Sequence, residues 1–414
     1  MRTPPVLLAL AAVVHGAVLV AQGRLAFVDS FEHPAIAYAA TPADDDVTRL
    51  NRALETGATS LAFDSSNGYL RAVVDALHVP IESQVLVFSQ GSLQGPRIGP
   101  DNPRAIFFND RVAVGWVREG LLEVIAQDAK QGPHFYTLDR TRTAAPRFSS
   151  SRECLRCHIS WDTFGVPGWL VLSTIQTTDS EYVNGGESDH RTPFVDRWGG
   201  WFVTGSPGAL RHRGNVVKPV KPDAPASRVV LPSVDGRFDP TGYPTPYSDI
   251  VALMVLEHQT RMLNLLTYVG WEARVAPPGG DVPPRVRAAA KEVVEYMLFL
   301  DEPPLAGRIE GSSGFAARFA SLGPADPQGR SLRAFDLERR LFRYPCSYLI
   351  YSDEFDALPP VAKRAIYGRL ADVLSGRDRS GGASRLSLAD RRAIVEILQA
   401  TKRDLPDDFR TALP

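Results

Sequence analysis

Residues 248–270, SDIVALMVLEHQTRMLNLLTYVG, constrain the fold more than any other stretch. They are apolar nearly all round a 3.6-residue period, so the segment is expected to be a central buried helix. The rest of the chain must then wrap around it. Ser248 or Asp249 is placed to cap its start, and Gly270 to stop it.

Further helices are expected over 44–57, 67–80, 283–300, 359–376 and 387–402, where apolar residues recur at helical spacing. SQVLVFS, RAIFFND, VAVGWV and HFYTLDR read as strands, and Asn109-Asp110 reads as a hairpin between two of them. Residues 146–247 are dense in Gly, Pro, Trp, Asp and Thr with little helical periodicity, which suits a segment of loops wrapped around something. The fold class is therefore α+β. A mixed α/β part spans 23–145, a loop-rich part 146–247, and a mainly helical part 248–414 packs on it. A length of 414 residues allows one to three domains. Glycine and proline, 33 each, stay well below the roughly 25–30% of a chain that marks low complexity. A net charge of −1 produces no strong field for nucleic acid or an anionic membrane, and no nucleic-acid partner is expected.

The first 22 residues form a separate unit. Arg2 precedes a run, Val6 to Ala21, that is apolar apart from His15 and Gly16. This resembles a secretory signal. Leu19 is large for a cleavage site, so an uncleaved N-terminal membrane anchor is the alternative, and a buried first helix is the third reading. The expected location is the periplasm, or the outer side of the cytoplasmic membrane if the anchor stays.

Two of the three cysteines, Cys154 and Cys157, lie in SSSRECLRCHISW with His158 directly after the second. Cys-x-x-Cys-His is the attachment sequence of c-type haem. Each thiol bonds one haem vinyl, and the histidine then lies beneath the iron as proximal ligand. One covalent haem c is the expected cofactor, attached outside the cytoplasm. Half a zinc site completed by Cys346 and a further histidine is an alternative, as is a redox dithiol or an exported disulfide. The dithiol reading lacks a βαβ setting, and the disulfide leaves His158 unexplained.

The blocks SRECLRCHISWDTFGVPGWLV, DHRTPFVDRWGGWFVTG, RHRGN, IVALMVLEHQTRMLNLLT and LFRYPCSYLIYSDEFDALP resemble a family of large exported bacterial monohaem proteins, described only as cytochrome c domain-containing. NPRAIFFNDRVAVGWV and FYTLDR fit the same pattern, so the resemblance covers nearly the whole mature chain. It implies covalent haem at Cys154 and Cys157 with His158 on the iron, and no defined reaction. Relatives often carry Met inside the RHxGN block, where this chain has Arg213.

The other axial position is less defined. Beyond Met1 the only methionines are Met254, Met262 and Met297, all in helical apolar runs that suit core packing. Histidines are better candidates: His212 first, then His190, then His258. Glu257 beside His258 reads either as a buried ion pair or as a proton donor at an open haem face. Arg191, Arg197, Arg211 and Arg213 cluster among glycines and tryptophans, and the first three are candidate partners for haem propionates. Trp198 and Trp201 are candidates to pack on the porphyrin. Cys346 reads as a buried apolar residue. The function expected is electron transfer or redox sensing with an unidentified redox partner. A peroxidase-type enzyme with an open distal site is the alternative, and a zinc-stabilised binding module the second.

Overall fold

The structure of the protein, a computed structural model, describes residues 25–178, 182–221, 223–407 and 409. The N-terminal signal or anchor, 1–22, lies outside them. Helix α1 (Asp46–Glu55) starts at Asp45, whose carboxylate accepts from Thr48 N while the Thr48 hydroxyl accepts from Asp45 N. Helix α2 (Leu70–Ala76) follows. Strands β1 (Val85–Val87), β2 (Arg104–Phe108), β3 (Val112–Trp116), β4 (Leu122–Asp128), β5 (Gly132–Leu138) and β6 (Ser149–Ser150) pair antiparallel with their neighbours. The Asn109 side-chain oxygen accepts from Arg111 N at 2.9 Å and Val112 N at 2.8 Å, closing the β2–β3 hairpin where Asn-Asp was expected to turn.

The loop-rich segment contributes helix α3 (Leu155–His158) and strands β7 (Leu172–Gln176), β8 (Tyr182–Glu187) and β9 (Trp201–Phe202). β7 and β8 make their own hairpin. β9 pairs with β1, so the main sheet runs β6-β5-β4-β3-β2-β1-β9. Both of its edge strands come from the loop-rich segment, which ties that segment to the mixed α/β part in one sheet.

The sheet has two apolar faces, set by the two-residue period of its strands. Ala105, Phe107, Val112, Val114 and Val124 pack with α1 and α2. Ile106, Ala113 and Ile125 point the other way, towards a second core built around helix α4 (Ile250–Val275). Every residue of α4 from Ile250 to Ala273 is buried except Arg261, as a helix apolar all round requires. Asp249 caps it, one carboxylate oxygen accepting from Val251 N and Ala252 N. Gly270 does not stop it. A Cβ there would sit 2.7 Å from the Arg274 guanidinium and 3.4 Å from Leu358 Cδ2, so the glycine serves close packing inside the helix. Helices α5 (Pro284–Met297), α6 (Phe315–Ser321), α7 (Asp353–Asp356), α8 (Pro360–Ser375) and α9 (Leu388–Thr401) complete the helical part. The fold is α+β with a helical C-terminal region. Among the described residues no helix is long and apolar enough to cross a membrane.

Candidate functional site

Helix α3 is a single turn, with Cys154 O accepting from Cys157 N at 3.1 Å and His158 N at 3.0 Å. Residues spaced i, i+3 and i+4 share a helix face, so this turn sets the two thiols and the imidazole side by side. Cys157 is exposed and Cys154 half-buried, and burial pushes the Cys154 thiol up. Nδ1 of His158 lies 2.7 Å from Gly168 O. A carbonyl only accepts, so Nδ1 carries the hydrogen and Nε2 keeps its lone pair. Nε2 has no hydrogen-bond partner among the described residues. Burial lowers the pKa of His158, which keeps the ring neutral, while the bond to Gly168 opposes that shift.

The acceptor for His158 is positioned by the central helix. Asn264 of α4 accepts from Trp169 N at 2.8 Å and donates to Trp169 O at 2.9 Å, pinning the residue after Gly168. The Trp169 indole N–H donates to Gln127 at 2.9 Å on β4. One buried amide thus fixes the loop that fixes the imidazole.

His158 and Cys157 border a cavity of about 240 Å³. Ile106, Ala113, Gly115 and Ile125 of the sheet form one wall; Trp169, Trp201, Leu256 and Thr260 line it as well. Its charged lining is Arg104 and Glu123, with Arg104 Nη2 3.0 Å from Glu123 Oε2. Arg104 Nε and Thr260 Oγ1 are buried without a hydrogen-bond partner. Unsatisfied buried donors in a native fold call for an explanation, and an absent ligand is one. Gly115 belongs to the same arrangement. A Cβ there would come within 2.5 Å of Arg104 Nη2 and 2.6 Å of Nε, so the glycine lets the guanidinium lie flat across β3. The lining thus offers apolar walls, one thiol, one imidazole nitrogen and an arginine that already pairs with Glu123; Cys154 does not line the cavity. Cys157 is exposed at the mouth, so a group bonded to it fills the mouth as well as the cavity.

The structure places the other candidate residues elsewhere. His212 is buried against the edge of Trp198, ring centroids 5.3 Å apart, and does not line the cavity. Neither of its ring nitrogens has a partner, and burial pushes its pKa down to about 4. His190 and His258 meet each other, Nδ1 to Nδ1 at 2.8 Å, and His258 Nε2 lies 2.8 Å from Ser347 Oγ. Both stack on Tyr296 and Phe299, and burial drives both pKa values down, that of His258 to about 3. On α4, Leu256 and Thr260 face the cavity; His258, two positions from each, faces away. Glu257 forms a buried ion pair with Arg197 at 3.1 Å and accepts from the Ser188 hydroxyl; burial pushes its carboxyl up to about 7.

The arginines expected at propionates are engaged otherwise. Arg197 also donates to Thr192 O and His190 O, both at 2.7 Å. Arg191 pairs with Glu292 at 2.7 Å, Arg213 with Asp196 at 3.2 Å, and Arg211 is exposed. None of the four lines the cavity. Trp198 is buried away from it, whereas Trp201 lines it and donates to Leu172 O at 2.8 Å. Met254, Met262 and Met297 are core residues, and Cys346 is fully buried with its thiol pushed up to about 12. Among the described residues no group of three or more His, Cys, Asp or Glu could hold a metal ion.

Sequence reasoning missed Arg104 and Glu123. Strand alternation was the available signal: Arg104 shares a face with Ile106, and Glu123 with Ile125. No protein-family model, no curated protein and no solved structure matches the chain, so the reading of the site rests on its own geometry.

Proposed function

We propose that the protein is an exported c-type haem protein, periplasmic or membrane-anchored, that transfers electrons or senses redox state through one covalent haem. The observation that carries this reading is His158, with Nδ1 tied to Gly168 O and Nε2 left free where Cys157 borders a cavity. A carbonyl holding one ring nitrogen, so that the other keeps its lone pair and its direction, is what a metal-ligating imidazole needs. Cys154 and Cys157 would hold the macrocycle and His158 its iron, and the haem would supply one-electron redox chemistry. Arg104, whose Nη2 lies on Glu123 while Nε has no partner, is the cation of this lining that a propionate would meet. Asn264 orients the imidazole through Trp169 and Gly168.

The cavity lining favours a second reading, in which the iron keeps an open or labile distal position. His158 is its only imidazole, and it contains no methionine. The zinc reading lacks support: Cys346 lies in the helical core, away from Cys154 and Cys157.

Expression with the c-type maturation machinery, followed by acid-acetone extraction and a pyridine haemochrome assay, tests the proposal. Colour should stay with the polypeptide at one haem per chain. A colourless protein, or haem that extracts freely, defeats it. Carbon monoxide added to the reduced protein separates the two ligation states: an open position shifts the Soret band at once, a six-coordinate iron resists.

A further inference from the structure

A second and larger cavity, of about 530 Å³, opens beside the first. Its size falls within the roughly 300–1,000 Å³ of small-molecule sites. Leu155 of α3 lines it, and so does Phe135, whose ring lies 4.7 Å from that of His158. On its floor His134 stacks on Tyr38, centroids 4.6 Å apart and planes 5° from parallel.

The protonation of His134 can be deduced. Its Nε2 lies 3.1 Å from Gln131 Oε1, and the Gln131 amide is oriented by donating to Ala37 O at 3.5 Å. A carboxamide oxygen accepts, so Nε2 carries the hydrogen. Nδ1 is then an acceptor with no partner among the described residues. Burial lowers the pKa of this imidazole, so it stays neutral. The neighbouring phenols are already used: Tyr38 donates to Pro133 O at 2.6 Å and Tyr136 to Asp45 at 2.5 Å.

The rim carries charge and apolar surface together. Arg147 pairs with Glu55 across it. Arg52 and Arg152 also line the rim, and neither has a carboxylate partner among the described residues. Phe31, 39% exposed, stands on the same rim. Beside Glu32, also on the lining, an imidazole with an acceptor to spare, aromatic side chains and two arginines without a carboxylate partner define complementary chemistry.

We propose that this cavity binds a small phenolic carboxylic acid. The phenol O–H donates to Nδ1 of His134, the ring packs among the aromatic side chains, and the carboxylate meets Arg52 and Arg152. The inference does not depend on the haem; where haem is present, the ligand sits one side chain, Phe135, from its axial histidine.

Titration calorimetry of the full-length protein with 4-hydroxybenzoate and with benzoate is the test. 4-Hydroxybenzoate should bind saturably, about tenfold tighter than benzoate, the factor one hydrogen bond supplies. His134→Phe keeps the stack on Tyr38 and should abolish that difference. Arg52→Gln with Arg152→Gln should weaken both acids about tenfold. The Cys154→Ala/Cys157→Ala protein should bind as the unaltered one does, which separates failure here from failure of the haem reading. No saturable binding by about 10 mM, a range that detects any affinity of interest, overturns the proposal. So do equal affinities for the two acids, or a difference that survives His134→Phe. If His134→Phe does not fold, the two acids compared on the unaltered protein decide.

Discussion

Helix α4 offers a comparison within one element, because its two sides treat buried polarity in opposite ways. On one side Glu257 and His258 are enclosed by partners from the chain itself, Arg197, Ser188, His190 and Ser347, although Nε2 of His190 and the Tyr296 hydroxyl beside them are left without one. On the other, Thr260 and the facing Arg104 keep buried polar atoms without partners beside a cavity, and His158 keeps Nε2 free. Desolvating a polar group costs free energy on both sides. Where the chain supplies the partner, the polarity is part of the scaffold. Where it does not and a cavity adjoins, a ligand is one candidate to supply it. A buried histidine is therefore informative about ligation only once its partners are known: by that criterion His158 differs from His258, whereas His190 and His212 also keep ring nitrogens without a partner, and it is Cys157 and the cavity beside it that set His158 apart.

The largest expected effect tests the scaffold side. Glu257→Ala leaves the Arg197 guanidinium buried without its carboxylate and should cost roughly 3–5 kcal/mol in chemical denaturation. A loss below about 1 kcal/mol would remove the contrast between the two sides.

His212 sharpens it through pH. Its folded pKa of about 4 lies below the ordinary 6.5, because burial disfavours the imidazolium. The stability this contributes is fully present above pH 6.5 and is lost as pH falls through 4, up to about 3 kcal/mol. Denaturation midpoints across that window should fall steeply, and His212→Phe should flatten the slope. Glu257 acts with the opposite sign: its carboxyl is raised from 4.5 to about 7, so its contribution is present below pH 4.5 and lost as pH rises through 7. A slope unchanged by His212→Phe would mean that the folded protein hydrates this ring.

Gly115→Ala probes the cavity side. The added methyl meets the far end of the flexible Arg104 side chain, which must shift beside Glu123, so the variant should lose about 1 kcal/mol, the low end of overpacking costs. Arg104→Ala should make the same methyl nearly harmless, a coupling that a double-mutant cycle measures.

The smallest stability effect accompanies the largest expected spectral one. His158→Ala removes one hydrogen bond, worth about 1 kcal/mol, yet with the proposed haem attached it should displace the Soret band. His190→Ala, His212→Ala and His258→Ala should leave that band in place. A spectrum that responds to His212→Ala and ignores His158→Ala would reverse the comparison.

The chain's local chemistry already determines a good deal. The uninterrupted apolar surface of 248–270 implies a surrounded helix, Asp249 is placed to cap it, and Asn109 supplies the hairpin. Cys154, Cys157 and His158 share a face because one helical turn spans their spacing. Such features depend on neighbours within a few residues, and those neighbours are written in order along the chain. Tertiary structure decided the rest. β4, LEVIAQD, is rich in helix formers and becomes a strand because β3 and β5 pair with it on both sides. Gly270 reads as a stop and instead lies inside the helix, where Leu358 packs over it from a distant segment. Arg191 and Arg197 read as candidate propionate partners until Glu292 and Glu257 arrive from distant segments, and Arg104 emerges at the cavity only once the sheet turns that face inward. A side chain's chemistry is local, but its partner is chosen by packing, and packing joins residues that sequence separation keeps apart.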